Sequence, residues 1–236
     1  MRTPEKPAKA YKNPKFVMSE EARPIRLLAE YLEPLTRLKQ QQVKKAIIFF
    51  GSARIKPKPK RGPDYFSLAG KLSEKLAAWT VRKHTPAQRY RFCTGGGPGM
   101  MEAAASGVAR VDRKLNIALN ISLPFEQSVN EYVTPELVFE FHYFFMRKFW
   151  FMKLAEALVV FPGGFGTMDE LFEVLTLVQT RKSRAIPIVL FGTEFWREAV
   201  NFEALARRGL ISPDDLDLFC ITDKVDVAFR HITAGL

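Results

Sequence analysis

The sequence predicts an α/β protein with a Rossmann-like, doubly wound and mostly parallel sheet that carries helices on both faces. Short, wholly apolar runs of strand length recur along the chain, and segments with helical spacing follow them. Two of the strand–helix junctions are rich in glycine. Continuously apolar strands are typical of parallel sheets buried on both faces. The regular alternation of strand and helix favours one sheet built from βαβ units.

The N-terminal part precedes this alternation and is predicted to differ from it. Residues 1–18 are rich in Pro and Lys and show no periodicity, which predicts a flexible basic leader. In residues 19–42, apolar side chains recur every three or four positions, which predicts a helical extension packed on the main domain. Pro24 suits the first turn of a helix, whereas Pro34 is expected to kink or break it. Residues 19–236 are predicted to form a single domain.

The alternating elements follow in order. Strands are predicted at 46–50, 90–93, 115–123, 137–144, 157–161 and 186–192, with a last short strand near the C-terminus. Helices are predicted at 65–79, after the glycine turn at 94–99, at 145–156, after the glycine turn at 162–167, at 193–208 and at the C-terminal end.

Charge, cysteine content and hydropathy narrow the function classes. The net charge of +11 lies in residues 1–62, which hold 16 of the 36 basic and 5 of the 25 acidic residues. This segment has no recognisable nucleic-acid reader motif, so a solvated tail and loop is favoured over nucleic-acid binding.

Cys93 and Cys220 lie in apolar stretches and are expected to be buried thiols. With no signal-peptide pattern and no apolar run of bilayer length, a cytoplasmic protein without membrane contact is expected.

The two glycine turns, TGGGPG at 94–99 and PGGFGT at 162–167, predict a site for a phosphorylated ligand. Each lies at the carboxyl end of a predicted strand, the edge at which open parallel sheets bind ligands. Glycine permits positive φ and close backbone approach, and the following helix N-terminus favours phosphate. The candidate phosphate contacts here are Gly96, Gly97 and Thr167. Ser52, which follows the first strand, is a candidate contact for phosphate or ribose. Neither GxGxxG after the first strand nor GxxxxGK[ST] is present, so a mononucleotide is favoured over NAD or ATP.

The motifs MRK at 146–148 and PGGFGTMDE at 162–170 resemble the signature of the LONELY GUY family. Its members are phosphoribohydrolases that release a free base from a nucleoside 5′-monophosphate, either a cytokinin ribotide or an ordinary nucleotide. Older descriptions often call them possible lysine decarboxylases, a name that this interpretation sets aside. The resemblance covers residues 46–222 and implies a Rossmann-like fold, a homodimer and no cofactor.

The same resemblance assigns roles to particular residues. Arg147 and Glu170 match the catalytic pair. Lys148 matches the lysine beside the arginine, which implies a contact with the substrate or its phosphate. The phosphate-binding turn is matched by Gly163, Gly164, Gly166 and Thr167. Two departures concern the base preference: Phe145 stands where many members have histidine, and the first turn reads GGGPGMMEA in place of a longer form.

The implied chemistry has a physical basis in the residues themselves. A carboxylate beside the sugar can take a proton from the attacking water and stabilise an oxocarbenium-like sugar, and Glu170 is predicted in the first turn of the helix that anchors the phosphate. Arg147 can hold phosphate or ribose oxygens with its planar fork of donors. The three histidines show no ligand spacing, so no metal site is predicted. The alternative is a non-catalytic nucleotide sensor or carrier of the same fold. The aromatic run from Phe139 to Phe151 is expected to form core or a dimer surface.

Overall fold

A computed structural model describes residues 7–59, 62–124 and 128–236 of the 236-residue chain. Within these ranges seven strands form one all-parallel sheet flanked by helices, which confirms the predicted α/β Rossmann-like fold. In the described ranges, no helix is both long and apolar enough to span a bilayer. Residues 1–6 of the predicted leader and residues 60–61 of the basic loop lie outside the described ranges.

The elements lie close to their predicted positions. The strands are β1 Ala46–Phe50, β2 Arg91–Thr94, β3 Asn116–Ile121, β4 Val138–Phe141, β5 Ala155–Val160, β6 Ile188–Phe191 and β7 Cys220–Thr222. The helices are α1 Pro14–Val17, α2 Arg23–Gln40, α3 Tyr65–Lys83, α4 Met100–Asp112, α5 Phe144–Leu154, α6 Phe165–Gln179, α7 Thr193–Ala199, α8 Phe202–Arg207 and α9 Val225–Ala234. Helix α1 and a 3₁₀ turn at Ala10–Lys12 fall within the predicted leader, where no helical turn was expected.

The strand order is β4-β3-β2-β1-β5-β6-β7. The chain therefore moves outward from β1 to β4 and then returns to place β5 on the other side of β1. This reversal makes the gap beyond the carboxyl ends of β1 and β5 the topological switch point, where doubly wound sheets bind ligands. Both the β1 loop and the second glycine turn open onto this gap.

The central strands are buried on both faces. On β1, Ile47 and Phe49 pack into the layer formed with α3, α4 and α9, while Ile48 and Phe50 pack into the opposite layer with α5 and α6. Every residue of β1 is buried, which explains why its sequence is apolar without alternation.

Pro34 does not break its helix, because α2 runs unbroken from Arg23 to Gln40 with Pro34 buried inside it. Proline lacks an amide hydrogen, so the carbonyl of Glu30, four residues earlier, loses its helical partner. The indole Nε1 of Trp150 on α5 donates to that carbonyl at 3.0 Å. A tertiary hydrogen bond thus satisfies the group that proline leaves free.

The predicted single helix over 193–208 is two helices, α7 and α8. Val200 has extended backbone angles of φ −143° and ψ 116°, which end α7. The side chain of Asn201 then accepts a hydrogen bond from the Ala204 amide at 2.9 Å and caps α8. Asparagine is among the strongest N-cap residues, and its preference for capping over helix interior explains the break.

Helices α3 and α4 cross so closely that we expect Gly107→Ala to destabilise the fold. A Cβ at Gly107 would lie 2.1 Å from the carbonyl oxygen of Gly70 and 2.2 Å from the Ser73 Oγ. The gain in helix propensity is about 1 kcal/mol, whereas overpacking of this kind costs up to about 3 kcal/mol or more. Urea unfolding should therefore show a net loss of about 2 kcal/mol.

The matched control for this substitution is Ser106→Ala, the neighbouring and half-buried position on the same helix. It should leave the unfolding free energy within about 0.5 kcal/mol of wild type. Equal effects of the two substitutions would contradict the close helix crossing.

Candidate active site

A cleft of about 290 Å³ lies beyond the carboxyl ends of β1, β2, β3 and β5 and is closed on one side by α5 and α6. Its polar lining comes from the β1 loop, the two glycine turns, β3 and the two helices. The lining residues are Phe50, Gly51, Ser52, Ala53, Arg54, Gly95, Met101, Asn120, Ile121, Leu123, Phe144, Arg147, Phe151, Gly164, Gly166, Thr167 and Glu170.

The second glycine turn brings α6 to the cleft, but not through positive φ as its glycines suggested. Among the described residues, positive φ is absent from Gly163, Gly164 and Gly166. A Cβ at Gly163 would meet the Thr167 Oγ1 at 2.1 Å, whereas Gly164 and Gly166 have open space at that position. Gly164 and Gly166 therefore leave the space in front of the α6 N-terminus open for a ligand.

Helix α6 starts earlier than the sequence indicated. It begins at Phe165 with Gly164 as N-cap, so Thr167 does not cap it and Glu170 lies in its second turn, not its first. Its N-cap, Gly164, has no side chain that could cap this N-terminus. Thr167 is buried and lines the cleft. The uncapped helix start suits an anionic ligand, because its first amides have no intrahelical partners.

The first glycine turn supplies Gly95 to the cleft, while Gly96 and Gly97 are held away from its lining. Gly96 has φ 78°, and its carbonyl oxygen accepts from both the backbone amide and the side chain of Asn130 at 2.8 and 2.9 Å. The Gly97 carbonyl accepts from the same side chain at 3.2 Å. These two glycines shape the turn rather than face the cleft.

Ser52 joins the loops that border the cleft. Its amide donates to the Pro162 carbonyl at 3.0 Å, and its own carbonyl accepts from the Met100 amide at 3.1 Å. Its Oγ accepts from the Arg54 amide at 3.1 Å. The β1 loop, the second glycine turn and the start of α4 are thereby fixed relative to one another. Ser52 also lines the cleft.

Arg147 on α5 and Glu170 on α6 meet inside the cleft, as their predicted pairing requires. The Arg147 Nη2 lies 3.4 Å from the Glu170 Oε1, and the two side chains are only 13% and 7% exposed. This separation is long for a charge-assisted hydrogen bond. The buried Arg147 Nε has no hydrogen-bond partner within the described ranges. The pair is therefore close but loosely bonded, and retains donors and acceptors for a third group.

Burial raises the pKa of Glu170 to about 7, and the charges of Arg147 and Lys148 counteract only part of that rise. Burial also lowers the pKa of Arg147, with Glu170 opposing the change, yet the guanidinium stays charged at neutral pH. A carboxyl group that titrates near neutrality can both accept and return a proton under cellular conditions.

Lys148 does not line the cleft. Its Nζ forms ion pairs with Asp169 at 2.6 Å and with Glu173 at 3.2 Å, both on α6. These contacts tie α5 to α6 directly beside Arg147 and Glu170. In this arrangement Lys148 orients the two helices that carry the pair, which is not the direct substrate contact that the sequence predicts for it.

The raised pKa of Glu170 gives a stability prediction. Because the pKa in the folded state lies above its ordinary value, the stability linked to this group is fully present below about pH 4.5 and is lost as the pH rises through about 7. Wild type should lose up to about 3 kcal/mol relative to Glu170→Gln across that range. Urea unfolding of both proteins at about pH 5 and about pH 8 measures this, and a pH-independent difference would contradict the burial of an ionisable Glu170.

Several cleft residues were missed by the sequence prediction. Arg54 lies in the loop after β1. Asn120 is, with Asn116, one of two buried polar residues of β3. The aromatic run Phe139–Phe151 is partly core, as expected. Phe144 and Phe151 also line the cleft. The Arg147 guanidinium carbon lies 5.2 Å from the ring centre of Phe144 and 5.6 Å from that of Phe151. Among the residues that the structure describes, no cluster of three His, Cys, Asp or Glu side chains is arranged to hold a metal ion.

Comparison with known proteins places this geometry in a family. Residues 101–232 match a family model described as possible lysine decarboxylase. The pyrimidine/purine nucleotide 5′-monophosphate nucleosidase of Escherichia coli strain K12 is 28% identical over 134 residues, which cover 51% of this chain and 28% of the relative. Proteins of the same name from the O6:H1 and O157:H7 strains match equally. The chain thus aligns with little more than a quarter of the length of these curated relatives.

Two solved structures share the fold. The X-ray structure of TM1055, a structural-genomics target, has a TM-score of 0.54 at 20% identity and covers 80% of this chain and 99% of its own. The molybdenum cofactor binding protein of Rippkaea orientalis has a TM-score of 0.51 at 16% identity, with 80% and 96% covered. The family match extends over more than half of the chain and includes both Arg147 and Glu170. The chain therefore belongs to the family described as possible lysine decarboxylase, and the resemblance to LONELY GUY proteins is confirmed.

Proposed function

We propose that this protein hydrolyses the N-glycosidic bond of a nucleoside 5′-monophosphate and releases the free base and ribose 5-phosphate. The observation that carries the proposal is the buried, loosely bonded Arg147–Glu170 pair in a cleft at the topological switch point. The cleft combines the N-terminus of α6, whose N-cap is a glycine, with apolar walls. Those are the features that a phosphate and a flat base require of one site.

Glu170 acts in this reaction as the base. Its carboxylate takes a proton from water while the water oxygen bonds to C1′ of the ribose. The C1′–N bond breaks, and its electron pair leaves with the base, which takes up a proton. Positive charge that develops on the sugar in the transition state is stabilised by the same carboxylate. Proton transfer of this kind contributes about 10²–10⁴-fold to a rate.

The phosphate is held at the start of α6, away from the bond that breaks. Gly163 gives Thr167 room to pack against the turn, while Gly164 and Gly166 leave open space there. Arg147 adds a bidentate donor for phosphate or ribose oxygens. Anchoring this end converts binding energy into orientation of C1′ beside Glu170.

The names of the Escherichia coli relatives support the reaction class. The region that the family model matches, residues 101–232, contains both Arg147 and Glu170. Both a cytokinin ribotide and an ordinary purine nucleotide fit the proposal as substrates.

Product analysis tests the proposal. Purified protein is incubated separately with AMP, GMP, CMP, UMP and isopentenyladenosine monophosphate, and the products are separated by chromatography. Equal amounts of free base and ribose 5-phosphate from at least one nucleotide are expected. Nucleotides that bind but yield no base would replace the hydrolase with a sensor or carrier, and nucleoside plus phosphate would identify a phosphatase instead.

A homodimer that uses α5 and the start of α6 is part of the same proposal. Phe144, Phe145 and Phe149 are 49, 52 and 40% exposed, and Phe165 is 96% exposed beside the glycine turn. Large aromatic side chains exposed together are typical of protein interfaces. Light scattering should give twice the 26.9 kDa of one chain.

Phe165→Asp tests which surface forms the dimer, because it places a charge at the most exposed of these aromatic rings. We expect it to shift the measured mass to that of one chain, while Leu210→Asp, at an exposed apolar residue outside this surface, leaves the dimer intact. Wild type that is monomeric, or a Phe165→Asp protein that remains dimeric, would contradict the assignment.

A further inference from the structure

We infer that Asn120 makes the cleft select a base with an exocyclic amino group, and that Glu140 sets this preference by fixing the direction of the Asn120 amide. The inference rests on the proposed nucleotide site and names the class of base that the site takes. It concerns two residues that lie on neighbouring strands, away from the Arg147–Glu170 pair.

Asn120 is a buried polar side chain on β3, 5% exposed, that lines the cleft. Its Nδ2 donates to the Glu140 Oε2 at 2.6 Å. The second carboxylate oxygen of Glu140 accepts from the Ser122 Oγ at 2.8 Å. Residues 120 and 140 are register partners on β3 and β4, so the strand pairing itself holds the two side chains together. Glu140 is thereby oriented from both sides.

The chemistry of Glu140 fixes which end of the Asn120 amide faces it. An ionised carboxylate only accepts hydrogen bonds, so it must receive the amide nitrogen. The carbonyl Oδ1 is then directed away from Glu140 and presents an acceptor to the cleft. Reversing the amide would place two acceptors against each other, with a buried polar group left unpaired at a cost of about 1–3 kcal/mol.

The position of Asn120 in the sheet assigns it to the base rather than the phosphate. The cleft runs from the α6 N-terminus after β5 to the end of β3, and the order β3-β2-β1-β5 separates these ends by three strand spacings. That distance is about 14 Å. With the phosphate at α6, the base extends toward β3. The walls at this end, Met101, Ile121 and Leu123, are apolar and suit a flat ring.

An acceptor at this end pairs with an N–H on the base edge and opposes a carbonyl oxygen. Adenine offers its 6-amino group, whereas hypoxanthine presents an oxygen at the same position. N6-alkylated adenine keeps one N–H there, so a cytokinin ribotide satisfies the same contact. In the AMP complex the Asn120 Oδ1 gains one hydrogen bond, whereas in the IMP complex it stays unpaired. This difference should make AMP bind about tenfold more tightly than IMP.

The test measures binding of AMP and IMP by calorimetry on the Glu170→Gln protein, in which turnover is slowed by about 10²–10⁴-fold and β3 and β4 are unchanged. AMP should bind about tenfold more tightly than IMP. Glu140→Lys in this background replaces an acceptor with a donor, so the Asn120 amide should reverse and present its nitrogen to the cleft. The preference should then change sign, with IMP the tighter ligand. Glu140 is exposed, so the substitution is compatible with folding.

Glu136→Lys is the matched control, because it makes the same charge change at an exposed position four residues away. It should leave the AMP preference unchanged. Asn120→Leu should abolish the preference in either direction. Equal binding of AMP and IMP to the starting protein, or a preference for AMP that survives both Glu140→Lys and Asn120→Leu, would overturn the inference while leaving the hydrolase proposal intact. Binding of no nucleotide at all would overturn both.

Discussion

Replacing Glu170 with glutamine is expected to lower kcat by about 10²–10⁴-fold, the share that a positioned base contributes. Glutamine has nearly the same size and keeps a hydrogen-bond acceptor for Arg147, but it cannot take a proton from water. Because Glu170 is buried in the cleft beside the guanidinium, the substitution changes chemistry without opening space. Nucleotide affinity should therefore stay within a few-fold of wild type. Rates come from release of free base, and affinity comes from calorimetry.

The control for this prediction is Glu203→Gln, the same chemical change at an exposed position on α8. It should leave kcat at the wild-type value. A Glu170→Gln protein that keeps more than about a tenth of wild-type activity would rule out Glu170 as the base.

Replacing Arg147 with methionine is expected to lower kcat/KM by about 10–100-fold, which corresponds to the loss of one charge-assisted interaction with the nucleotide. It should also change the pH dependence. The Arg147 charge lowers the pKa of Glu170 against the effect of burial, so its removal raises that pKa further. Activity should then appear only at higher pH than in wild type. Arg147→Lys keeps the charge but loses the planar fork, so it should weaken binding and leave the pH midpoint nearly unchanged.

Arg207→Met, at an exposed arginine of α8, controls for loss of a positive charge and should alter neither quantity. Circular dichroism of Arg147→Met checks that the buried Glu170 without its partner has not unfolded the protein. A pH midpoint that is identical in wild type and Arg147→Met would show that the titrating group is not the neighbour of Arg147.

The sheet was predictable because its strands carry strong local signals. Segments such as Ala46–Phe50 and Ile188–Phe191 are short, apolar throughout and followed by glycine, a pattern typical of strands buried on both faces. One prediction that failed, at Pro34, depended on a contact between distant residues. The sequence around Pro34 contains no sign that Trp150, more than a hundred positions later, would donate to the Glu30 carbonyl. The helix break at Val200 had a local signal in Asn201, which was not weighed as a cap.

In the candidate site too, residues within a recognisable motif were predicted, whereas residues whose role depends on tertiary contacts were not. Arg147 and Glu170 were identified by motif, and the structure brings them together across two helices. The assignments of Gly96 and Gly97 relied on glycine content alone, which does not distinguish a glycine that faces a ligand from one whose carbonyl is bound by Asn130. Asn120 had a usable signal, since a polar residue inside a buried strand needs a partner. Its partner Glu140 could be identified only once the register of β3 and β4 was known.

The dependence of kcat/KM on pH, measured for AMP by release of adenine, tests the central claim most directly. The ionised form of Glu170 is the base, so kcat/KM should rise with an apparent pKa of about 7, the value that burial gives this group. The phosphate of AMP has a pKa of about 6, which is the same for every variant. A higher midpoint in Arg147→Met than in wild type is therefore due to Glu170 and not to the substrate. A wild-type profile that is flat or falls as the pH increases through 7 would contradict the role of Glu170 and the mechanism built on it.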